Sequence, residues 1–316
     1  MAELHIKTAK ELYDFQSGKY GWGEANDPLY VYLDNDIDMN DLCDAQGHPK
    51  YFPSDTTEKT YCYFNGGGFT VKNIYFFNTS ASFILINRYK EYSNVVFKDI
   101  LIVSSEPYLI RWSVYDTWSE YRIHDVFFYG GVYSTGNAEL LCGISGLNYN
   151  SGLALIGPNI IFTGILYASV SCAFLSQRST AYNGYYGEVN FQQCGFVGRM
   201  VAGGNCIFLW RRSSGGAGYA NYCFCILRSA TNFCISWNDA TGNTAQFKNF
   251  YLVAYDIKSK TIRQNVNNIG AVTYSCYDST KLEQAGITFD SNLFISETTE
   301  HMKDPIYMAD TYGYPS

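Results

Sequence analysis

The chain is poor in charge, in proline and in histidine, and each shortage removes a class of function. Asp, Glu, Lys and Arg make up only 16% of its 316 residues, and the net charge is −7. Lys and Arg do not cluster beyond Arg211-Arg212. Without a basic patch nothing neutralises a phosphate backbone, so no nucleic-acid partner is expected. The four histidines, His5, His48, His124 and His301, are too dispersed for a catalytic triad or a zinc site. No apolar run is long enough to cross a bilayer, so no membrane insertion is expected. The opening "MAELHIKTAKELYDF" lacks the apolar core of a secretory signal. With only 7 prolines, there are few breakers inside strands.

Ten cysteines suggest a disulfide framework at first sight, but no CxxC is present. The Cys223-Phe-Cys225 spacing does not suit a zinc knuckle. Cys172, Cys194, Cys206, Cys223, Cys225 and Cys234 mostly fall inside apolar strand-like runs, where a free thiol behaves as a small buried hydrophobe. Reduced core thiols, made in a cytoplasm, are the expectation. Neither a metal nor another cofactor is expected.

What the chain does have is aromatics: 17% of residues, including 29 Tyr and 21 Phe. These suit pleated, half-buried surfaces and favour β-structure. A short pattern recurs along the chain, with apolar positions, a polar anchor and a second apolar run. It reads "FTVKNIYFF" at 69–77, "VVFKDILIV" at 95–103, "YRIHDVFFY" at 121–129 and "LIGPNIIFT" at 155–163. It returns as "VNFQQCGFV" at 189–197, "AQFKNFYLV" at 245–253 and, more loosely, "ITFDSNLFI" at 287–295. The first anchors, Asn73, Asp99 and Asp125, are spaced by 26 residues, and Asn159, Gln193 and Asn249 follow at longer intervals. A second strand and then a polar loop of variable length follow each anchor.

Tandem strands at this period, without helix-length amphipathic runs, predict a parallel β-helix in which each coil buries its inward side chains on the next. The anchors are turn residues that bond local backbone and tolerate a left-handed conformation. Asn73, Asp99 and Asp125 are expected to stack in one structural column, with Val71, Ile74, Phe97, Ile100, Ile123 and Val126 pointing inward beside them. "TAKE" at Thr8–Glu11 is a capping box that starts a short helix with Leu12 and Phe15 on its apolar face, placed to cover the open end of the solenoid. Asp34, Asp36 and Asp38 alternate like calcium ligands. Met39 and Ala45 stand where a calcium loop needs its glycine and its closing glutamate, so these acids are read as outward or turn positions of a first rung.

The segments "TAKELYDFQSG", "YVYLDNDIDM" and "YFNGGGFTVKNIYF" together resemble the opening of bacterial and phage surface β-helix proteins of the pectin-lyase-like superfamily. The turn Asn65-Gly66-Gly67-Gly68 departs from the usual aspartate-glycine-x-glycine. The likeness covers Thr8–Phe77 and continues at the level of the repeat over Ser82–Ile295. It implies an all-β, single-domain right-handed parallel β-helix of about seven or eight coils, roughly 35–40 Å long, with a short N-terminal capping helix. Residues 1–60 form the cap helix and first rung, 61–296 the coils and 297–316 a peripheral tail able to dock on a neighbouring subunit. The architecture hosts adhesins, virion spikes and polysaccharide enzymes alike.

The loops after the second strands concentrate aromatics beside Arg and Asp, which is what a sugar-binding edge needs. Trp112, Tyr115, Trp118, Trp210, Arg211, Arg212 and Trp237 are the candidate glycan or partner contacts, expected to be partly exposed on one face. The alternative packs the same rings down under their own loops. Catalytic signals are sparse. Asp116, Glu120 and Asp239 are the loop carboxylates in plausible positions for glycoside hydrolysis, and they lie coils apart. Lyase chemistry in the superfamily implies an Arg or Lys base near calcium; Arg111, Arg211 and Arg212 lack the acidic cluster to go with it. The expected function is a non-enzymatic phage virion component of the tail or a surface appendage. It is synthesised in the host cytoplasm and contacts host surface polysaccharide or other virion proteins, with a homotrimer as a candidate assembly. The alternatives are a polysaccharide depolymerase and a secreted adhesin at the bacterial cell surface.

Overall fold

The structure is a computed structural model describing residues 2–21, 23–24, 26–53, 61–78, 81–86, 89–114, 122–146, 153–180, 188–212, 218–238, 245–263, 269–289 and 292–312. Its strands stack into three parallel sheets of thirteen, seven and five strands, the faces of one parallel β-helix. The large sheet runs from Ala2–Ile6 at one end to Ile295–Glu297 at the other. Its middle rungs are Tyr89–Ser104, Arg122–Ser134, Ile160–Ala168, Cys194–Ala202, Phe224–Ala230 and Tyr251–Ala254.

Strict alternation builds the core. In Ile160–Ala168 the buried positions Ile160, Phe162, Leu166 and Ala168 point inward between half-exposed ones. Parallel register then places like on like: Phe97 lies opposite Phe128, Phe128 opposite Phe162, and Phe162 opposite Phe196. The stacked ring pairs stand 5.4 Å apart for Phe97 and Phe128 and 5.7 Å for Phe162 and Phe196. Each fully buried ring contributes about 1.5–3 kcal/mol of apolar transfer. Val71, Ile74, Phe97, Ile100, Ile123 and Val126 are all buried in this core. Of the ten cysteines nine are buried and Cys43 is exposed, and all are free thiols.

The anchor residues take left-handed backbone, with φ of 58° at Asn73, 52° at Asp99 and 55° at Asp125. They do not form the single column expected. Asp99 stands opposite Asn73, between the pairs Lys72–Lys98 and Ile74–Ile100. Asp125 stands opposite Asn94 instead, between the pairs Ser93–His124 and Val95–Val126. The 16-residue strand Tyr89–Ser104 therefore carries two corners, and the equal spacing of 73, 99 and 125 joins two different columns. The longer column runs Asn94, Asp125, Asn159, Gln193, Tyr222, Asn249 and Tyr274, all at positive φ. Amide side chains tie rungs together, as where Asn159 Nδ2 donates to Asp125 Oδ1 at 2.8 Å and Asn73 Nδ2 to Asp38 Oδ1 at 2.8 Å.

A third column consists of Gly130, Gly164 and Gly198, with φ of 151°, 154° and 152°. A Cβ on Gly164 would stand 1.8 Å from the Gly130 carbonyl oxygen, and one on Gly198 1.9 Å from that of Gly164. Backbone passes where a side chain would be, so only glycine fits.

The caps differ from expectation at both ends. The helix Ala9–Gln16 (α1) has its capping box at Thr8 and Glu11 and buries Leu12 and Phe15, but the strand Ala2–Ile6 precedes it and pairs with Leu29–Leu33. The helix thus interrupts the first rungs rather than preceding them. The acidic residues nearby are engaged by N–H donors: Asp36 accepts from the Thr70 amide, and Asp38 from Asn40 and Asn73. At the other end Ser279–Gln284 (α2), Thr299–Lys303 (α3) and Pro305–Tyr312 (α4) close the solenoid. The loose repeat at 287–295 supplies Ile287, Phe289 and Phe294 to this plug. The segment expected to be a peripheral tail docks on its own chain. Glu297 accepts hydrogen bonds from the hydroxyls of Tyr307 and Tyr312 and pairs with His301 Nδ1 at 2.8 Å, while Asn249 Nδ2 donates to the Tyr312 carbonyl.

Candidate functional site

Two places on the outer surface gather functional side chains. The first is the outward side of the seven-stranded sheet, where the sequence candidates fall. Trp210 and Trp237 are register partners on the strands Cys206–Arg211 and Phe233–Asn238. Trp210 packs against Ala173 and Ile207, with Trp237 beside them. The Arg212 guanidinium lies 4.6 Å from the Trp210 ring centroid and donates from Nη1 to Glu139 Oε1 at 2.6 Å. Ser176 Oγ donates to the other Glu139 oxygen. Glu139 and Ser176 were not singled out from sequence. Register explains them: Glu139, Ala173 and Ile207 share one position on successive strands, and Cys142, Ser176, Trp210 and Trp237 share another.

This cluster is packed rather than open. Trp210 is 6% exposed, Glu139 1% and Ser176 0%. The expectation of exposed rings on one face is corrected for Trp210, whose surroundings match the packed alternative. It is corrected for Arg211 in a different way. Alternation turns Arg211 inward, where its Nε donates to Gln177 Oε1 at 3.1 Å and a Cβ on Gly218 would stand 3.4 Å from its Cδ. Burial lowers its guanidinium pKa to about 10. Trp112 shares the register position of Arg211, opposite Gly143, and so lies in the row beside that of Trp210. The side chain of Trp112, and Tyr115, Trp118, Asp116, Glu120 and Asp239, lie outside the described residues. Glu139, Ser176, Arg212 and Trp210 satisfy one another, which makes them a structural brace.

The second place is a groove of about 510 Å³ on the outward side of the large sheet, open to solvent. Its floor is the outward positions of three strands: Ile161, then Phe224 and Ile226, then Tyr251 and Val253. The inward neighbours Cys225, Leu227, Leu252 and Ala254 hold those strands to the core. Phe224 lies over Gly195, where a Cβ would come within 2.1 Å of its ring, and stacks on Tyr251 at 5.2 Å and 8°. Met302, Pro305 and Met308 of α3 and α4 form the opposite wall. Burial pushes the Tyr251 hydroxyl up to about 12, so it stays a neutral donor.

Polar groups line the rim: Asn159, Gln193 and Tyr222 from the left-handed column, and Lys303 from α3. Among the described residues the side chains of Gln193 and Tyr222 make no hydrogen bond, and Lys303 makes no ion pair. Asp278 is committed: it caps α2 through the Lys281 amide and accepts from Thr299 Oγ1. Flat rings with unspent amide, hydroxyl and ammonium groups around them suit a ligand that has apolar faces and hydroxyl edges. The groove lies on strands, not on the loops where the aromatic and charged side chains cluster in the sequence. Its signal was there in "CFCIL" and "FYLVAY", whose outward positions are aromatic or aliphatic where a solvated face needs polar residues.

No helix among the described residues is long and apolar enough to cross a membrane. No family model matches the chain, and no curated protein matches it. Among solved structures, a "putative immunoglobulin A1 protease" from Bacteroides ovatus is similar at a TM-score of 0.47 and 15% identity, over 97% of this chain and 86% of that one.

Proposed function

We propose that this β-helix is a non-enzymatic recognition protein of the kind that displays a rigid solenoid on a phage virion, in the tail or a surface appendage, and binds host surface glycan. The observation that carries the reading is the groove on the large sheet, where the stacked, half-buried Phe224 and Tyr251 rings form the floor beside Gln193, Tyr222 and Lys303. A pyranose presents an apolar C–H face to such rings and its hydroxyls to the rim, and a site built on strands is stiffer than one built on loops. The resemblance of Thr8–Phe77 to pectin-lyase-like surface proteins supports the same reading. Trp210 and Arg211 do not carry it, since both are buried, and Arg212 and Trp237, half-buried, stand on a different sheet from the groove.

Chemistry is not needed for this role. Asp278, the carboxylate at the groove, is held by Thr299 and the α2 amide and is not placed to act as a general acid or base. An array of bacterial capsule and lipopolysaccharide polysaccharides tests the proposal: the protein should retain at least one, with no new reducing ends or unsaturated sugars appearing in the eluate. Release of such ends would favour the depolymerase, and retention of none would end the glycan reading.

A further inference from the structure

The left-handed column along the large sheet changes character where it meets the groove. Asn and Asp suit such a corner, because a short polar side chain can bond close by and ease the left-handed backbone. Three of the column's asparagines do so. Asn94 Nδ2 donates to Asn65 Oδ1 at 3.2 Å, Asn159 Nδ2 to Asp125 Oδ1 at 2.8 Å, and Asn249 Nδ2 to the Tyr312 carbonyl. Gln193 and Tyr222 break the pattern, at φ of 51° and 53°. A glutamine holds its amide one methylene further out, and a tyrosine has no amide to offer.

Nothing in the corner itself requires these two side chains. Gln193 N donates to the Asn221 carbonyl at 2.9 Å and Tyr222 N to the Lys248 carbonyl at 2.8 Å, bonds that any non-proline residue would make. Among the described residues neither side chain makes a hydrogen bond, and Tyr222 makes no ring contact. Both are half-buried and line the groove, on successive rungs beside Phe224 and Tyr251. Backbone held in a strained region, with polar side chains turned into a groove, points to function rather than to folding.

We propose that Gln193 and Tyr222 determine which sugar the groove accepts, by pairing with neighbouring hydroxyls of a ring laid against Phe224 and Tyr251. The assignment rests on the glycan reading of the groove and adds the groups that discriminate between glycans. An amide and a phenol each donate and accept, as a sugar hydroxyl does. A carboxylate or phosphate only accepts, and would leave the Gln193 carbonyl without a donor. Successive rungs stand about 4.8 Å apart, so the two groups reach hydroxyls of one ring or of two joined rings. A site that hydrogen-bonds a hydroxyl rejects the analogue lacking it, which stacking on aromatic rings does not do. Asparagine at either corner would remove the contact and suit the backbone better, so binding and stability should move in opposite directions. Tyr274 is the control: it has φ of 49°, is 59% exposed and does not line the groove.

Thermal melts of the full chain, with calorimetric titration of a polysaccharide retained on the array, test the assignment. Tyr222→Asn and Gln193→Asn should melt at or above the wild type and bind about three- to tenfold more weakly, the range of one lost neutral hydrogen bond. Tyr222→Phe, which removes the hydroxyl alone, should weaken binding without lowering the melt. Tyr274→Asn should also melt at or above the wild type and bind as the wild type does. A corner variant that binds as the wild type, or weakens only together with a lower melting temperature, overturns the role of its residue. If Phe224→Ala weakens binding and the corner variants do not, the inference fails and the groove reading stands. If all of them bind as the wild type, or no polysaccharide is retained, both fail.

Discussion

Asp125 lies across from Asn94, not from Asp99, although Asp99 precedes it by the same 26 residues that separate Asp99 from Asn73. The coil from Val95 to its partner Val126 is 31 residues long, against 26 from Thr70 to Val96, so Asp125 falls opposite Asn94, while Lys98 and Asp99 together face Tyr129 alone between the pairs Phe97–Phe128 and Ile100–Gly130. An extra residue on one strand re-aims everything after it. One column of left-handed corners ends there, and another continues to Tyr274.

That longer column predicts a substitution pattern. Asn159 holds φ at 58° and bonds Asp125. Asn159→Gly should be nearly neutral, since relief of the left-handed strain offsets the lost bond. Asn159→Val should cost about 2 kcal/mol or more, because a β-branched residue at positive φ is strained. Urea denaturation of the two variants gives the comparison.

The glycine column predicts a larger effect. Gly164→Ala places a Cβ 1.8 Å from a backbone oxygen that two neighbouring rungs hold in place. The variant should lose at least about 3 kcal/mol or fail to fold. Gly286→Ala is the control: its φ of 63° is similarly unsuited to alanine but nothing lies within 4 Å, so about 1 kcal/mol is expected.

The C-terminal clasp should depend on acid. Burial pushes the Glu297 carboxyl up, but hydrogen bonds from Tyr312, His301 and Tyr307 outweigh it and hold the pKa below the ordinary carboxylate value. A group whose folded pKa is depressed contributes stability above its unfolded pKa, and loses it as pH falls through the folded one. The α3–α4 segment should therefore resist proteolysis at neutral pH and become cleavable at pH below about 4. Glu297→Gln should weaken the clasp at neutral pH and flatten that dependence.

The brace on the seven-stranded sheet should behave as structure. Trp210→Ala removes a ring 6% exposed and the surface on which Arg212 rests, and should cost about 3–5 kcal/mol. The folded fraction should bind polysaccharide as the wild type does. A variant of ordinary stability that has lost binding would return the site to this sheet.

Alternation and repeat length made the solenoid legible from residues alone, because period-two burial and stacking of like on like leave a direct trace in order of apolar and polar residues. Val71, Phe97 and Ile123 were placed inward on that basis, and they are. Register was not legible, since the coil from Val95 to Val126 is longer than that from Thr70 to Val96, and equal spacing of anchors hides the difference. The rings of the groove were not legible either: Phe224 and Tyr251 meet only after register stacks them, and their wall comes from the helices Thr299–Lys303 and Pro305–Tyr312, far along the chain. Tyr222 and Tyr274 escaped the anchor pattern because an aromatic at positive φ follows no turn preference.

The most direct measurement is calorimetric titration of a polysaccharide retained on the array into wild type, Phe224→Ala and Gly195→Ala. Phe224→Ala removes the half-buried ring of the groove floor, and Gly195→Ala lifts it from its seat without removing it. Both should weaken binding by about tenfold or more, equivalent to about 1.4 kcal/mol, while the melting temperature changes little in Phe224→Ala. Undiminished affinity in Phe224→Ala, with the protein folded, would contradict the groove as the glycan site.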